Sequence, residues 1–229
     1  MTAIVLAGGQ SRRMKADKAG LDVAGRTLLE HVLAQVEPLF DEVLVSVSEG
    51  QAGQVRRKLA GRRGRRPKAT ATAPPSPGRV RFVEDERPDL GPLGGILAGL
   101  RAARNDACMV LACDIPDIDI PLLEALARTT CGSEITVPVG PSGLYEPLFA
   151  LYRRPIIPRI EALLASGERS ILPLFDRCRT AIVQFEGAGR IRNLNTRADY
   201  EGYLRSMDNP KAVGPGTGKV PSKRRRPKA

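Results

Sequence analysis

Ala3-Ile4-Val5-Leu6-Ala7-Gly8-Gly9-Gln10-Ser11-Arg12-Arg13-Met14, followed closely by Asp17-Lys18, is the stretch that decides how this 229-residue chain reads. A short apolar β-type run that ends in paired glycines and then meets cations is a phosphate cradle built at the end of a strand. Glycine lets a backbone N–H approach an anion, because no Cβ stands in the way and a positive φ costs it little. Arg12, Arg13 and Lys18 add full positive charges suited to a polyphosphate, and Ser11 is placed to cap a following helical turn. The spacing is neither Gly-x-Gly-x-x-Gly nor Gly-x-x-x-x-Gly-Lys-Ser/Thr, which disfavours a hydride-transferring dinucleotide enzyme and a P-loop ATPase.

Outward from that turn, strand-like and helix-like segments alternate. Thr27 and Glu30 have capping-box spacing, and Leu28, Leu29, Val32, Leu33 and Val36 then share one helical face. His31, the only histidine, lies at the edge of that face. Glu42 to Ser46 and Val80 to Val83 read as strands, and a helix follows from about Gly94. Ala107-Cys108-Met109-Val110-Leu111-Ala112-Cys113 is apolar without alternation, as a central parallel strand covered on both faces must be. Further strands are expected at Glu134 to Val139, Pro147 to Tyr152 and Ala181 to Gln184. Helices are expected near Ile156 to Leu164, Ser170 to Phe175 and Thr196 to Leu204, the last with a capping-box pair at Thr196 and Asp199. Alternation of this kind predicts a Rossmann-like, doubly wound, mostly parallel sheet in a three-layer α/β single domain spanning residues 1–207.

The net charge of +11 suggests a nucleic-acid binder until it is mapped. Thirteen cations and no acids lie in residues 61–79 and 210–229, which leaves the rest of the chain at −2. Both segments are rich in Gly, Pro, Ala and Thr, and a flexible loop at about 61–79 and a disordered tail over 208–229 are expected. Aromatic residues make up only 4% of the chain and Trp is absent, which argues against stacking on single strands; specific nucleic-acid binding is not expected. No apolar run approaches the roughly 20 residues of a membrane span, and no secretory pattern precedes the first strand, so the cytoplasm is the expected compartment. Cys108, Cys113, Cys131 and Cys178 form no Cys-x-x-Cys pair and read as free buried thiols rather than a metal site.

In an open α/β sheet, ligands sit beyond the carboxyl ends of the strands where strand order reverses. Asp85 follows the third strand, and Asp114 follows the central run in Cys113-Asp114-Ile115-Pro116. A carboxylate there, beside a phosphate cradle, suits Mg²⁺, which takes one or two carboxylates and fills its remaining sites with phosphate oxygens and water. Asp117 and Asp119 are near enough to assist, and Asp117 is equally placed to cap the helix near Pro121. Asp89-Leu90-Gly91-Pro92-Leu93-Gly94-Gly95 is a second glycine loop that opens a helix, and Asn193-Leu194-Asn195-Thr196 reads as a polar turn before one.

Leu6-Ala7-Gly8-Gly9-x-Ser11-x-Arg13-Met14-x-x-Asp17-Lys18 resembles the signature loop of nucleotidyltransferases, and most closely that of the molybdenum cofactor guanylyltransferases. Gly91-Pro92-Leu93-x-Gly95, Glu146-Pro147-Leu148 and Asn193-x-Asn195-Thr196 resemble further motifs of the same family, in the same order, from Met1 to about Arg205. The resemblance implies that GMP passes from MgGTP to the terminal phosphate of molybdopterin, releasing pyrophosphate. It implies that Leu6, Ala7, Gly8, Gly9, Lys18 and Asp85 contact the nucleotide, that Asp114 holds Mg²⁺, and that Arg13 and Lys18 neutralise the triphosphate. Gly91, Gly95, Asn193 and Asn195 would then shape or support the pterin pocket, and molybdoenzymes or their chaperones are the implied recipients. Lys15, where the family usually has glycine, and Ser48, near a position where it often has asparagine, depart from the pattern. Molybdopterin cytidylyltransferases and sugar-phosphate nucleotidyltransferases are the neighbouring alternatives, and a nucleotide-sensing protein that binds polyanions through its basic segments is a more distant one.

Overall fold

The computed structural model describes residues 1–8, 18–61, 80–85, 90–186 and 191–208. The expected flexible loop and basic tail lie outside those residues, except that Gly61 and Asp208 end helices. Nine strands are assigned among the described residues: β1 (Thr2–Leu6), β2 (Asp22–Val23), β3 (Arg26–Thr27), β4 (Glu42–Ser48), β5 (Val80–Asp85), β6 (Ala107–Ala112), β7 (Ile135–Val139), β8 (Phe149–Arg153) and β9 (Thr180–Gln184). The helices are α1 (Leu28–Val36), α2 (Ala52–Gly61), α3 (Pro92–Ala102), α4 (Ile120–Thr129), α5 (Ile157–Ala165), α6 (Pro173–Arg177) and α7 (Arg197–Asp208).

Seven strands form one sheet in the order β5-β4-β1-β6-β8-β7-β9, while β2 and β3 make a small separate hairpin. Pairing is parallel throughout β5-β4-β1-β6 and between β7 and β9, and only β8 runs against its neighbours. All five residues of β1 are buried, as expected of a strand covered on both faces. Their side chains alternate between two cores. Ala3 and Val5 join Met109 and Leu111 beneath Leu29, Val32, Leu33 and Val36 of α1, whereas Ile4 and Leu6 join Val110 beneath Leu93, Ile96 and Leu100 of α3. This is the three-layer α/β arrangement that the alternating pattern predicts.

The chain runs from β1 outward to β4 and β5, then crosses back to lay β6 on the other side of β1. Strand order therefore reverses between β1 and β6, whose register pairs Leu6 with Ala112. Their carboxyl ends stay joined past the last ladder residue, since the Cys113 N–H donates to the Leu6 carbonyl at 3.0 Å.

Helix α3 lies unusually close to the sheet. A Cβ on Gly99 would stand 2.5 Å from Cγ2 of Ile4, which is fully buried. Gly99→Ala gains about 1 kcal/mol of helix propensity but forces an overpacked core that typically costs about 1–3 kcal/mol. A net fall of a few degrees in the thermal unfolding midpoint is expected by circular dichroism.

Candidate active site

The first turn leaves β1 under tight backbone control. The N–H groups of Ala7 and Gly8 both donate to the Ser46 carbonyl, at 2.8 and 3.1 Å, so the chain bends over the end of β4. Gly8 has no room for a side chain: a Cβ would lie 2.8 Å from the Ser48 backbone nitrogen and 3.1 Å from the Val47 carbonyl carbon. The second half of the cradle, including Gly9 and Arg13, lies outside the described residues, and Lys18 begins a short 3₁₀ turn to Gly20. Ser48, the departure from the family pattern, thus lies directly against the glycine turn.

Asp85 closes β5 opposite Ser48. Its carboxyl packs on Gly94 at the start of α3, where a Cβ would stand 2.7 Å from the Asp85 Cγ and overlap the carboxylate. Gly95 faces the Ser46 hydroxyl and Leu6 across the same seam, 3.0 and 3.1 Å from its would-be Cβ. Gly91, the residue before α3, has φ +62° and ψ −155°, a conformation that disfavours other residues, and Pro92 then supplies a preset first helical turn. The second glycine loop therefore brings the start of α3 close to the ends of β1, β4 and β5.

Asp114 sits just past the end of β6, at the reversal point, in a turn closed by the Ile115 N–H on the Ala112 carbonyl. Its own carbonyl accepts the Leu194 N–H at 2.8 Å, which brings the late asparagine motif to the central carboxylate. Leu194 is fully buried with Val23, Leu28 and Tyr203, so the two flanking asparagines rest on an apolar anchor. The Asn195 and Thr196 N–H groups donate to Asp199, and the Thr196 hydroxyl accepts from the Asp199 N–H; this is the expected capping pair at the start of α7.

Glu146 enters from the other side. Burial raises its carboxyl above the ordinary range, and a hydrogen bond from the Asn193 side chain partly offsets the rise. The segment around it is fixed by the Tyr152 hydroxyl on the Pro147 carbonyl at 2.8 Å and by the Ala112 N–H on the Leu148 carbonyl at 2.9 Å. The sequence marks the Glu146 and Asn193 motifs separately, while their direct pairing emerges only from the fold.

Asp119, not Asp117, caps α4, accepting from the Leu122 N–H at 2.9 Å. Asp117 instead accepts the Tyr203 hydroxyl at 2.9 Å, and that hydroxyl also lies 3.1 Å from His31 Nε2. Burial pushes the Asp117 carboxyl up, but the bonds from His31 and Tyr203 and the charges of His31 and Arg192 outweigh it and hold it below its usual value. His31 is thus engaged at the α1–α7 junction, at the margin of the apolar face. Tyr203, which carries no motif signal, completes this contact.

Among the described residues, no group of three or more His, Cys, Asp or Glu side chains could hold a metal ion. A single carboxylate is still an adequate protein contribution for Mg²⁺ when a triphosphate and water supply the remaining ligands, so Asp114 fits an ion that arrives with its nucleotide. The cysteines are free; Cys108 and Cys113 are buried as expected, whereas Cys131 is exposed and Cys178 only partly buried. No helix among the described residues is long and apolar enough to cross a membrane.

The MobA-like NTP transferase domain matches residues 3–181, from the first strand through the start of β9. The chain belongs to this family. It is accordingly a nucleotidyltransferase, and the match includes β1, Asp85, the Gly91 loop, Asp114 and Glu146. A molybdenum cofactor guanylyltransferase of Pseudomonas putida is 35% identical over 170 residues, covering 73% of this chain and 78% of the relative. Among solved structures, the molybdopterin-guanine dinucleotide biosynthesis protein A of Archaeoglobus fulgidus is 24% identical. It matches with a TM-score of 0.68 over 91% of this chain and 99% of that one, which shows the shared fold. A manganese complex of a Mycobacterium tuberculosis protein, 20% identical, matches with a TM-score of 0.58 over 90% of this chain and 98% of that one.

Proposed function

We propose that this nucleotidyltransferase moves GMP from MgGTP to the terminal phosphate of molybdopterin, forming the guanine dinucleotide of the molybdenum cofactor. The observation that carries this is the meeting of Asp114 with the backbone of Leu194, at the point where the β1 turn and β6 diverge. Asp114 thereby lies, by its backbone, between the glycine turn that follows β1 and the asparagine motif. The curated relative's activity agrees with this arrangement, and the related manganese complex supports a divalent ion as the cofactor.

In this mechanism a phosphate oxygen of molybdopterin attacks the α-phosphorus in line. The new P–O bond forms as the bond to the bridging oxygen breaks, and pyrophosphate leaves with that electron pair. The attacking group is already an anion at neutral pH, so no strong general base is required; a chain whose one histidine bonds to Tyr203 suits this chemistry. Asp114 is the residue that would hold a divalent ion, which would supply charge neutralisation at the triphosphate when bound. Gly9, Arg13 and Lys18 bind the triphosphate beyond a turn whose Ala7 and Gly8 N–H groups are held by the Ser46 carbonyl, Asp85 contacts the nucleotide, and Gly91, Gly95, Asn193 and Asn195 form or support the acceptor pocket. Positioning and preorganised charge, rather than proton transfer, then lower the barrier.

A pyrophosphate-release assay with molybdopterin present tests this function against its neighbours. GTP is expected to be turned over in clear preference to CTP; a preference for CTP would reassign the enzyme to cytidylyl transfer. Because the folded body is close to neutral, removal of residues 209–229 is expected to leave GMP transfer intact, whereas a tail-driven polyanion binder would lose its salt-dependent partner.

A further inference from the structure

The nucleotide side of the site is built on β1, β4 and β5, so an acceptor attacking in line must approach over β6, β8 and β7. The structure lines that approach with an arc of linked segments. Gly91 lies against the Arg169 backbone, its would-be Cβ 3.7 Å from the Arg169 carbonyl oxygen. A few residues on, Leu172 is 53% exposed beside Phe175, which packs into the α3 core with Leu90 and Leu93. Phe175 meets the Tyr145 ring at 4.9 Å between centroids, tilted by 55°. Tyr145 is bridged to Val139 at the carboxyl end of β7 and directly precedes Glu146, the partner of Asn193 beside Asp114.

This arc exposes apolar surface at the functional end of the sheet: Leu144 is 68% exposed and Tyr145 38%. Nine Phe and Tyr residues serve the whole chain, and the only other ring–ring contact among the described residues joins His31 to Tyr203. A Tyr propped on Phe175, with exposed Leu144 preceding it in the chain and exposed Leu172 bonded through its carbonyl to the Phe175 N–H, offers a face for a flat heterocycle, since π-surfaces favour offset or tilted stacking. Taking molybdopterin as the acceptor proposed above, we infer that Tyr145, supported by Phe175 and flanked by Leu144 and Leu172, is the specificity-determining platform on which the acceptor's pterin ring stacks. Continuity with the Glu146–Asn193–Asp114 line favours this occupant over a protein partner, because the patch and the metal-binding carboxylate belong to one connected set of segments.

The test compares Tyr145→Phe, Tyr145→Leu and Tyr145→Ala in the full chain. Tyr145→Leu keeps apolar bulk against Phe175, which guards against loss by misfolding, and thermal melts and GTP affinity by calorimetry check that the nucleotide side is intact. Loss of one stacked ring contact corresponds to about tenfold in binding. The KM for molybdopterin is therefore expected to rise about tenfold in both Tyr145→Leu and Tyr145→Ala, and to stay within twofold of the parent in Tyr145→Phe. GTP affinity is expected to be unchanged in all three. An unchanged molybdopterin KM in Tyr145→Leu overturns the platform, as does equal impairment in Tyr145→Phe or an effect confined to self-association. Quenching of 6-hydroxymethylpterin fluorescence in the presence of GTP provides a readout that does not need turnover. If the parent transfers no GMP but quenches this probe in a Tyr145-dependent way, the proposed reaction fails while the platform stands; no Tyr145-dependent quenching overturns the platform.

Discussion

Asp114→Asn is expected to lower kcat for GMP transfer by at least about a hundredfold while leaving the unfolding midpoint within a few degrees of the parent. Asparagine keeps the size and one oxygen of the side chain but removes the negative charge that a hard cation requires. The loss falls on the reacting triphosphate, where metal neutralisation of developing charge is worth several kcal/mol. The fold has little reason to change, because Asp114 meets the asparagine motif through its backbone carbonyl, which accepts the Leu194 N–H and survives the substitution. Single-turnover measurements at saturating GTP and acceptor, beside a thermal melt, separate these effects. A kcat within fivefold of the parent would remove Asp114 from the reaction.

Lys18→Ala is the companion case. Removing one preorganised charge near a transition-state oxyanion typically costs about 3 kcal/mol, roughly a hundredfold or more in rate. Lys18 sits at the start of the 3₁₀ turn that re-enters the described fold after the β1 turn. Loss of its ammonium is expected to lower turnover by about a hundredfold, with Lys18→Arg recovering part of it, and to leave the circular dichroism spectrum unchanged. Turnover within twofold of the parent would show that the triphosphate charge is met elsewhere.

What the sequence shows of this fold tracks how local each cause is. β1 and β6 are legible because a strand buried on both faces must be apolar along nearly all its length, as Ala3 to Leu6 and Ala107 to Ala112 are. Helix α1 announces itself through Thr27 and Glu30, whose reciprocal cap forms as the spacing implies. Helix α2 escapes notice because its help comes from afar: the Ala52 N–H at its start donates to Glu84 on β5, 32 residues away. The β2–β3 hairpin turns through Ala24 at φ 51°, where no Asn-Gly or Asp-Gly pair signals a reversal. Nor does anything local announce that β8 enters antiparallel between β6 and β7.

Candidate site residues divide along the same line. Glycine turns and strand-end carboxylates can be found locally, and the structure brings Gly8, Asp85, the Gly91 loop and Asp114 to the carboxyl edge of one sheet. Pairings across the chain cannot be read this way. Glu146 and Asn193 meet over 47 positions of sequence, and Tyr203 reaches Asp117 over 86. The asparagine motif shows both influences: its middle residue, Leu194, is a core side chain that anchors the polar pair on either side.

A crystal structure of the protein soaked with GTP and Mg²⁺ tests the central claim most directly. The expected density shows the triphosphate over the turn after Leu6, with the ion about 2.1 Å from an Asp114 carboxylate oxygen and bridging to phosphate oxygens. A triphosphate bound away from that turn, or a metal with no ligand from Asp114, would contradict it.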